Sequence, residues 1–288
     1  MIYRSRKRSA AWLLPVLLLA GCGPSITGQE EAPGDGLGAP AEAYPIITPA
    51  CGLINAAITA NCPIEIMGTM VLDGRNHALW SSQIIPNSGG FGVITIGALV
   101  SGDNCRIGGT TTWGQDVAPT RTGWEWVVEE FYNWSGYQPS TPEQVLGGWE
   151  AGWAPGALKN LAMTGFNGSQ YVTDPAGLAF PLQGVTYVEL PPGAEWNPVE
   201  LGESGAGILV VHNDSLTASM LNVNPGVFRG LIIADQVLHL HVTVIGAIFI
   251  LSPAPAAGYA LGNGTGDLLF SWEALGTLAD NLLAHDIN

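Results

Sequence analysis

The sequence predicts a mainly β protein: a right-handed parallel β-helix-like stack with a short helical aromatic insert and a C-terminal helix, an antiparallel β-sandwich being the alternative. Three observations lead there. Short β-branched runs bounded by turn residues recur from about residue 46 onward, at Gly68–Asp73, Gly92–Ser101, Gly184–Leu190, Gly207–Asn213, Gly230–His241 and Gly246–Ser252. Several are continuously apolar rather than alternating, as strands buried on both faces are. A glycine-led apolar pattern begins at Gly207, Gly230 and Gly246, offsets of 23 and 16 residues, which is the kind of recurrence stacked coils produce. Short strands with turn signals also satisfy a sandwich, which keeps that alternative open.

The elements follow in order. Residues 1–21 read as a signal peptide: Arg4, Arg6, Lys7 and Arg8 make a basic head, and the apolar run from Ala10 to Gly21 is broken by Pro15 and falls short of the roughly 20 residues a spanning helix needs. Leu19-Ala20-Gly21-Cys22 resembles the lipobox of bacterial lipoproteins, which implies that Cys22 is acylated and becomes the first mature residue. Several acyl chains on one cysteine anchor a soluble domain stably. Gly23, in place of an aspartate, favours the outer membrane or cell surface. Residues 22–45 form the lipidated cysteine and a flexible tether of Gly, Pro, Ala and acids, with too few large apolar side chains to fold. Residues 46–288 form the β-helix-like domain.

Charge narrows the partners. The chain has 9 basic and 24 acidic residues, and once the signal is removed only Arg75, Arg106, Arg121, Lys159 and Arg229 remain basic. Nucleic acid is excluded as a partner, because counterion release rewards cations aligned along phosphates and these five are scattered. An exported compartment permits disulfides. A Cys51–Cys62 bridge closing a short loop is the simplest pairing, with Cys105 left free or pairing instead.

The insert, about 122–165, holds Trp124, Trp126, Trp134, Trp149 and Trp153 in quick succession. Pro142 and Pro155 each precede apolar residues at helical spacing, so short helices are expected on one flank of the stack, with the indoles as their core anchors. At the C-terminus Ser271 caps a segment that sets Leu275, Leu278 and Leu282 on one face. Such a helix would cover the open end of the stack.

Asp73-Gly-Arg-Asn-His77 after a strand, Ser204–Leu216, Phe228–Ile233, Gly246–Ser252 and Trp272–Leu275 together resemble the C-terminal repeat region of PilX-like type IV pilus assembly proteins and related secreted proteins, over roughly residues 65–283. Pilus-type members begin with a prepilin leader and a retained apolar helix, where this chain carries a lipobox and tether. The resemblance implies the fold and an envelope setting, and assigns no activity to the Asp73 element.

The candidate sites are few. Asp73, Asn76 and His77 form a structural turn or a weak cation site, calcium fitting the latter; no resident cofactor is expected. His239 and His241 flank Leu240 and share one strand face, and with His212 on a neighbouring coil they are the candidates for a transition metal, the more common role being solvent-facing strand residues. Asp214 and Asp235 lie near strand ends, and Glu129 and Glu130 are expected on a solvated face of the insert. No catalytic residues are assigned. The implied protein is a non-enzymatic cell-envelope or surface lipoprotein with a structural, adhesion or pilus-related assembly role, meeting the membrane through its lipid and other envelope or pilus proteins or glycans beyond it. A polysaccharide-binding or polysaccharide-cleaving β-helix using the aromatic insert is the second expectation.

Overall fold

The computed structural model describes residues 54–283 except 103, 132–137, 199, 200, 202 and 203, and side chains of the last helix up to Thr277. Cys22, the tether and Cys51 lie outside the described residues. The chain runs through β1 (Ala56–Ala60), β2 (Ile64–Gly68) and β3 (Val71–Asp73), the short pair β4 (Asn76–His77) and β5 (Ile84–Ile85), then β6 (Phe91–Thr95), β7 (Leu99–Ser101), β8 (Arg106–Thr110), β9 (Asp116–Thr120) and β10 (Val128–Glu130). Helices α1 (Pro142–Val145) and α2 (Ala157–Thr164) follow. The second strand series is β11 (Gln170–Val172), β12 (Val185–Glu189), β13 (Glu195–Trp196), β14 (Gly205–His212), β15 (Ser219–Val223), β16 (Val227–Ala234), β17 (Gln236–Leu240), β18 (Thr243–Ile250), β19 (Ala260–Gly264) and β20 (Asp267–Phe270), before α3 (Trp272–Leu283).

The protein is mainly β with large parallel sheets. From β12 to β20 successive strands alternate between two sheets, so each strand lies beside the one two places earlier in the chain. Among the described residues every ladder is parallel except β4 with β5 and β8 with β9. The antiparallel sandwich is therefore corrected: parallel neighbours need crossovers through a second sheet, and the chain supplies them.

The recurring glycines stand in register. Gly207 lies beside Gly230, and Gly230 beside Gly246. Their φ angles are +116°, +138° and +145°, and a Cβ on each would overlap the carbonyl oxygen of the preceding glycine in the series, Gly184, Gly207 and Gly230. Only glycine has both the conformational range and the missing side chain that this close approach needs. Beyond each glycine, the strand side chains are almost all buried, including Ile208–Val211, Leu231–Ala234 and Ala247–Ile250. Helices supply part of this burial: α1 and α3 pack against β16, α3 also against β18, and α2 against β11 and β12.

Sequence order and spatial order differ at one rung. The first half of β18 pairs with β20, from Thr243 beside Asp267 to Gly246 beside Phe270, whereas its second half pairs with β1, from Ile58 beside Ile248 to Ala60 beside Ile250. A single level is thus built from the two ends of the described chain. Beyond it the first strand series continues, β2 on β19, β3 on β20, and β6 on β1. This corrects the expectation for the last helix: α3 follows a strand in the middle of the stack, because β1 and β3 occupy the level it was expected to cover. Its cap is as expected, with Ser271 Oγ accepting from the Ala274 amide, while Leu278 and Leu282 have side chains outside the described set.

The long ladder β11-β12-β14-β16-β18-β1-β6-β10 places the ends of the insert seven steps apart, about 34 Å at the spacing of neighbouring strands. The chain returns along the ladder. Pro139 accepts a hydrogen bond from Asn61 just after β1, α1 touches β16, and α2 reaches β12 and β11. Thr141 caps α1 ahead of Pro142, and α2 starts two residues after Pro155. The helical insert is real, but Glu129 and Glu130 are corrected from it to strand β10, where they pair with Ile94 and Thr95 of β6.

Candidate functional site

The acidic residues with the deepest burial are engaged by the fold itself. Asp235, immediately after β16, is completely buried. One oxygen lies 2.6 Å from His212 Nδ1, and the other accepts from the backbone amides of Asn213 (2.9 Å) and Ala218 (3.0 Å). The carboxylate therefore closes the 213–218 connection between the two sheets. Glu143 in α1 accepts from the Leu158 amide and ties α1 to α2. Glu189, beside His212 in the ladder, takes hydrogen bonds from Lys159 and Tyr171 that hold its carboxyl below the usual glutamate range and raise the Lys159 ammonium. Asp214 is exposed, in contrast to fully buried Asp235.

The Asp73 turn is a clamp. Asp73 is buried, and its oxygens accept from Arg75 Nε and from Nη2 at 2.7 Å, with His77 Nε2 3.1 Å away. Burial pushes this carboxyl up, but hydrogen bonds from His77 and Arg75 outweigh it and hold it below the ordinary aspartate range. A calcium ion would have to displace the guanidinium, so these residues fit the structural role. Asn76 donates to Ser88 Oγ and accepts from the Trp272 amide, and Glu273 accepts from the Leu79 amide. The element thus fastens the start of α3 to the first strand series.

A pH dependence follows. Because the folded-state carboxyl is depressed, its contribution is complete above the unfolded aspartate range and is lost as pH falls through and below about 4. Urea unfolding of the native chain and of Asp73→Asn at several pH values should show a constant stability gap from pH 7 to 5 that narrows below pH 4. A gap that is as wide at pH 3 as at pH 5 would refute this role for Asp73.

The histidines do not converge. His212 lies in the larger sheet against Asp235, whereas His239 and His241 belong to the smaller one, with Nδ1 atoms 3.0 Å from Asn263 O and Thr265 Oγ1. His239 has φ +55°. Among the described residues no group of three or more His, Cys, Asp and Glu side chains could hold a metal ion. Cys62 and Cys105 are buried free thiols, and burial pushes Cys62 up to about 12.

The indoles divide in two. Trp124 and Trp153 pack against the core as expected. Trp126 and Trp149 do not: they are 62 % and 78 % exposed, which corrects their assignment as core anchors. Trp113, outside the insert, is 70 % exposed and lies against Trp126, with ring centroids 5.7 Å apart and planes tilted by 52°. Trp113 sits in the β8–β9 turn, held by Thr111 N to Gln115 O (2.8 Å), Gly114 N to Thr111 O (2.9 Å) and Gln115 N to Thr111 Oγ1 (3.2 Å). Trp126 sits in a single 3₁₀ turn, Glu125–Val127, whose Val127 is fully buried. Two turns thus carry a two-ring surface at the β8–β10 end of the stack. Elsewhere Trp80 is exposed beneath the Arg229 guanidinium, 5.0 Å from the ring centre.

Sequence reasoning missed two of these features. The His212–Asp235 contact was within reach, because the 23-residue offset between Gly207 and Gly230 also carries 212 onto 235. The Trp113–Trp126 contact spans a turn and a separate 3₁₀ element, and no repeat offset joins them. Comparison with protein-family models, with curated proteins and with solved structures found no match for the chain.

Proposed function

We propose that the chain is an exported, lipid-anchored and non-enzymatic cell-envelope protein, in which the parallel stack is a right-handed β-helix that holds an adhesive surface away from the membrane. The observation that carries this reading is the division of polar and aromatic groups. Asp73, Glu143, Glu189 and Asp235 are engaged with guanidinium, ammonium or backbone donors within the fold, while four indoles, Trp80, Trp113, Trp126 and Trp149, face solvent. Carboxylates held in that way serve architecture, and exposed indoles serve recognition. Right-handedness follows the rule for parallel strands joined by crossovers. The lipobox at Leu19–Cys22 and the resemblance to PilX-like repeat regions support the envelope setting, with pilus or other envelope proteins as neighbours. The exposed indoles also favour polysaccharide binding over polysaccharide cleavage within the second reading.

The test is Cys22→Ser in a bacterial host. The native chain is expected to incorporate labelled palmitate, to sediment with membranes and to increase attachment of the cells to surfaces or to one another. The variant is expected to lose all three. A Cys22→Ser chain that still sediments with membranes would remove the lipid anchor, and attachment unchanged by deleting the gene would remove the adhesive role.

A further inference from the structure

We propose that Trp113 and Trp126 form a binding site for a neutral polysaccharide chain. The proposal deepens the adhesion reading and rests on it for its place at the cell surface, but not for its chemistry. Two indoles in mutual contact that remain 70 % and 62 % exposed contribute little to the core, yet the backbone carrying each is held, by the hydrogen bonds of the β8–β9 turn and by the 3₁₀ turn seated on buried Val127. Rings that lean on one another from held backbone lose less freedom when a ligand arrives than rings on a free loop.

The geometry selects the ligand class. An indole face suits the apolar C–H face of a pyranose, leaving the ring hydroxyls to solvent and neighbouring polar groups. Planes tilted by 52° present two non-parallel faces, which matches consecutive sugars rotated relative to one another along a chain better than one flat aromatic ligand. Gln115 and Thr112 flank Trp113 and can meet hydroxyl groups. Charge then excludes the alternatives. Exposed Glu125 adjoins Trp126 and the whole chain carries −15, while Asp116, at the start of β9, accepts from the Asn87 amide and the Thr110 hydroxyl. An acidic polymer or an anionic membrane would be repelled, with Arg121 the one cation in this stretch of sequence. An uncharged glycan meets no such opposition.

The experiment uses the full chain in detergent, titrated with neutral hexasaccharides of β-1,4-glucose, β-1,3-glucose and β-1,4-N-acetylglucosamine, and with a polygalacturonate oligomer as the acidic counterpart. Calorimetry and indole fluorescence report binding. Saturable binding of at least one neutral chain is expected, weakened at least tenfold by Trp113→Ala with Trp126→Ala, partly restored by phenylalanine at both positions, and unchanged by Trp149→Ala. Unchanged thermal unfolding of the double variant shows that the loss is local. The proposal is overturned if no neutral chain binds, if the acidic oligomer binds better, if the double variant binds normally, or if it loses self-association or vesicle binding instead. Glycan binding that fails while Cys22-dependent cell attachment persists would sink this site and leave the adhesion reading standing; the converse would do the reverse.

Discussion

Replacing Gly230 with alanine is expected to destabilise the protein by roughly 3–5 kcal/mol, although it adds one methyl group. Gly230 has φ +138°, outside the range alanine tolerates, and its new Cβ would overlap the Gly207 carbonyl oxygen of the adjoining strand. Gly246 is packed on Gly230 in the same way from the other side. The glycine column therefore offers no relaxed neighbour, and relief of the clash must separate two ladders that run from Val227 to Ala234 against β14 and β18. Urea unfolding should show a midpoint shift at an unchanged slope. Gly276→Ala in α3 is the control, since a Cβ there meets nothing within 4 Å. It should be neutral or stabilising by up to about 1 kcal/mol, as alanine in place of a helical glycine is. Equal losses in the two variants would mean that generic glycine effects, not the column, set the stability.

The column was also the most legible feature of the sequence, because glycine-led runs are local patterns and their recurrence directly reports stacking. The composite level was not legible. Pairing Ile58 with Ile248 joins residues at opposite ends of the described chain, and nothing in the run Ala56–Ala60 distinguishes a strand that begins a stack from one inserted into its middle. The same limit misplaced α3, whose cap and amphipathic spacing are local but whose neighbours β16 and β18 are not. For the indoles, hydrophobicity argued for burial at every position, and the difference between half-buried Trp153, packed against the core, and exposed Trp149 is set by tertiary neighbours that no local pattern carries. Asp235 was missed for a different reason: its partner shows only when the 23-residue offset of the glycines is carried to the end of the strand, where 212 falls on 235.

Asp235→Ala is the second large effect expected, about 3–5 kcal/mol, because it removes one side of a fully buried polar cluster. The alanine would orphan the amides of Asn213 and Ala218 and the ring nitrogen of His212, none of which can reach bulk water without opening the 213–218 connection. Asp235→Asn keeps the volume and one carbonyl acceptor, so its cost should be smaller, about 1–3 kcal/mol. A double-mutant cycle with His212→Ala separates the ring contact from the two backbone contacts. If the backbone contacts dominate, His212→Ala is mild in the native chain and adds little to Asp235→Ala. Hydrogen exchange provides the local readout: protection at Asn213 and Ala218 should fall below that of the neighbouring β14 and β16 amides. In a stack each level leans chiefly on its neighbours, and the Trp113–Trp126 pair lies several levels away beside β10. Asp235→Ala should therefore leave glycan affinity unchanged at temperatures where the chain remains folded, whereas a parallel loss of affinity and of loop protection would show that the two ends of the stack are coupled.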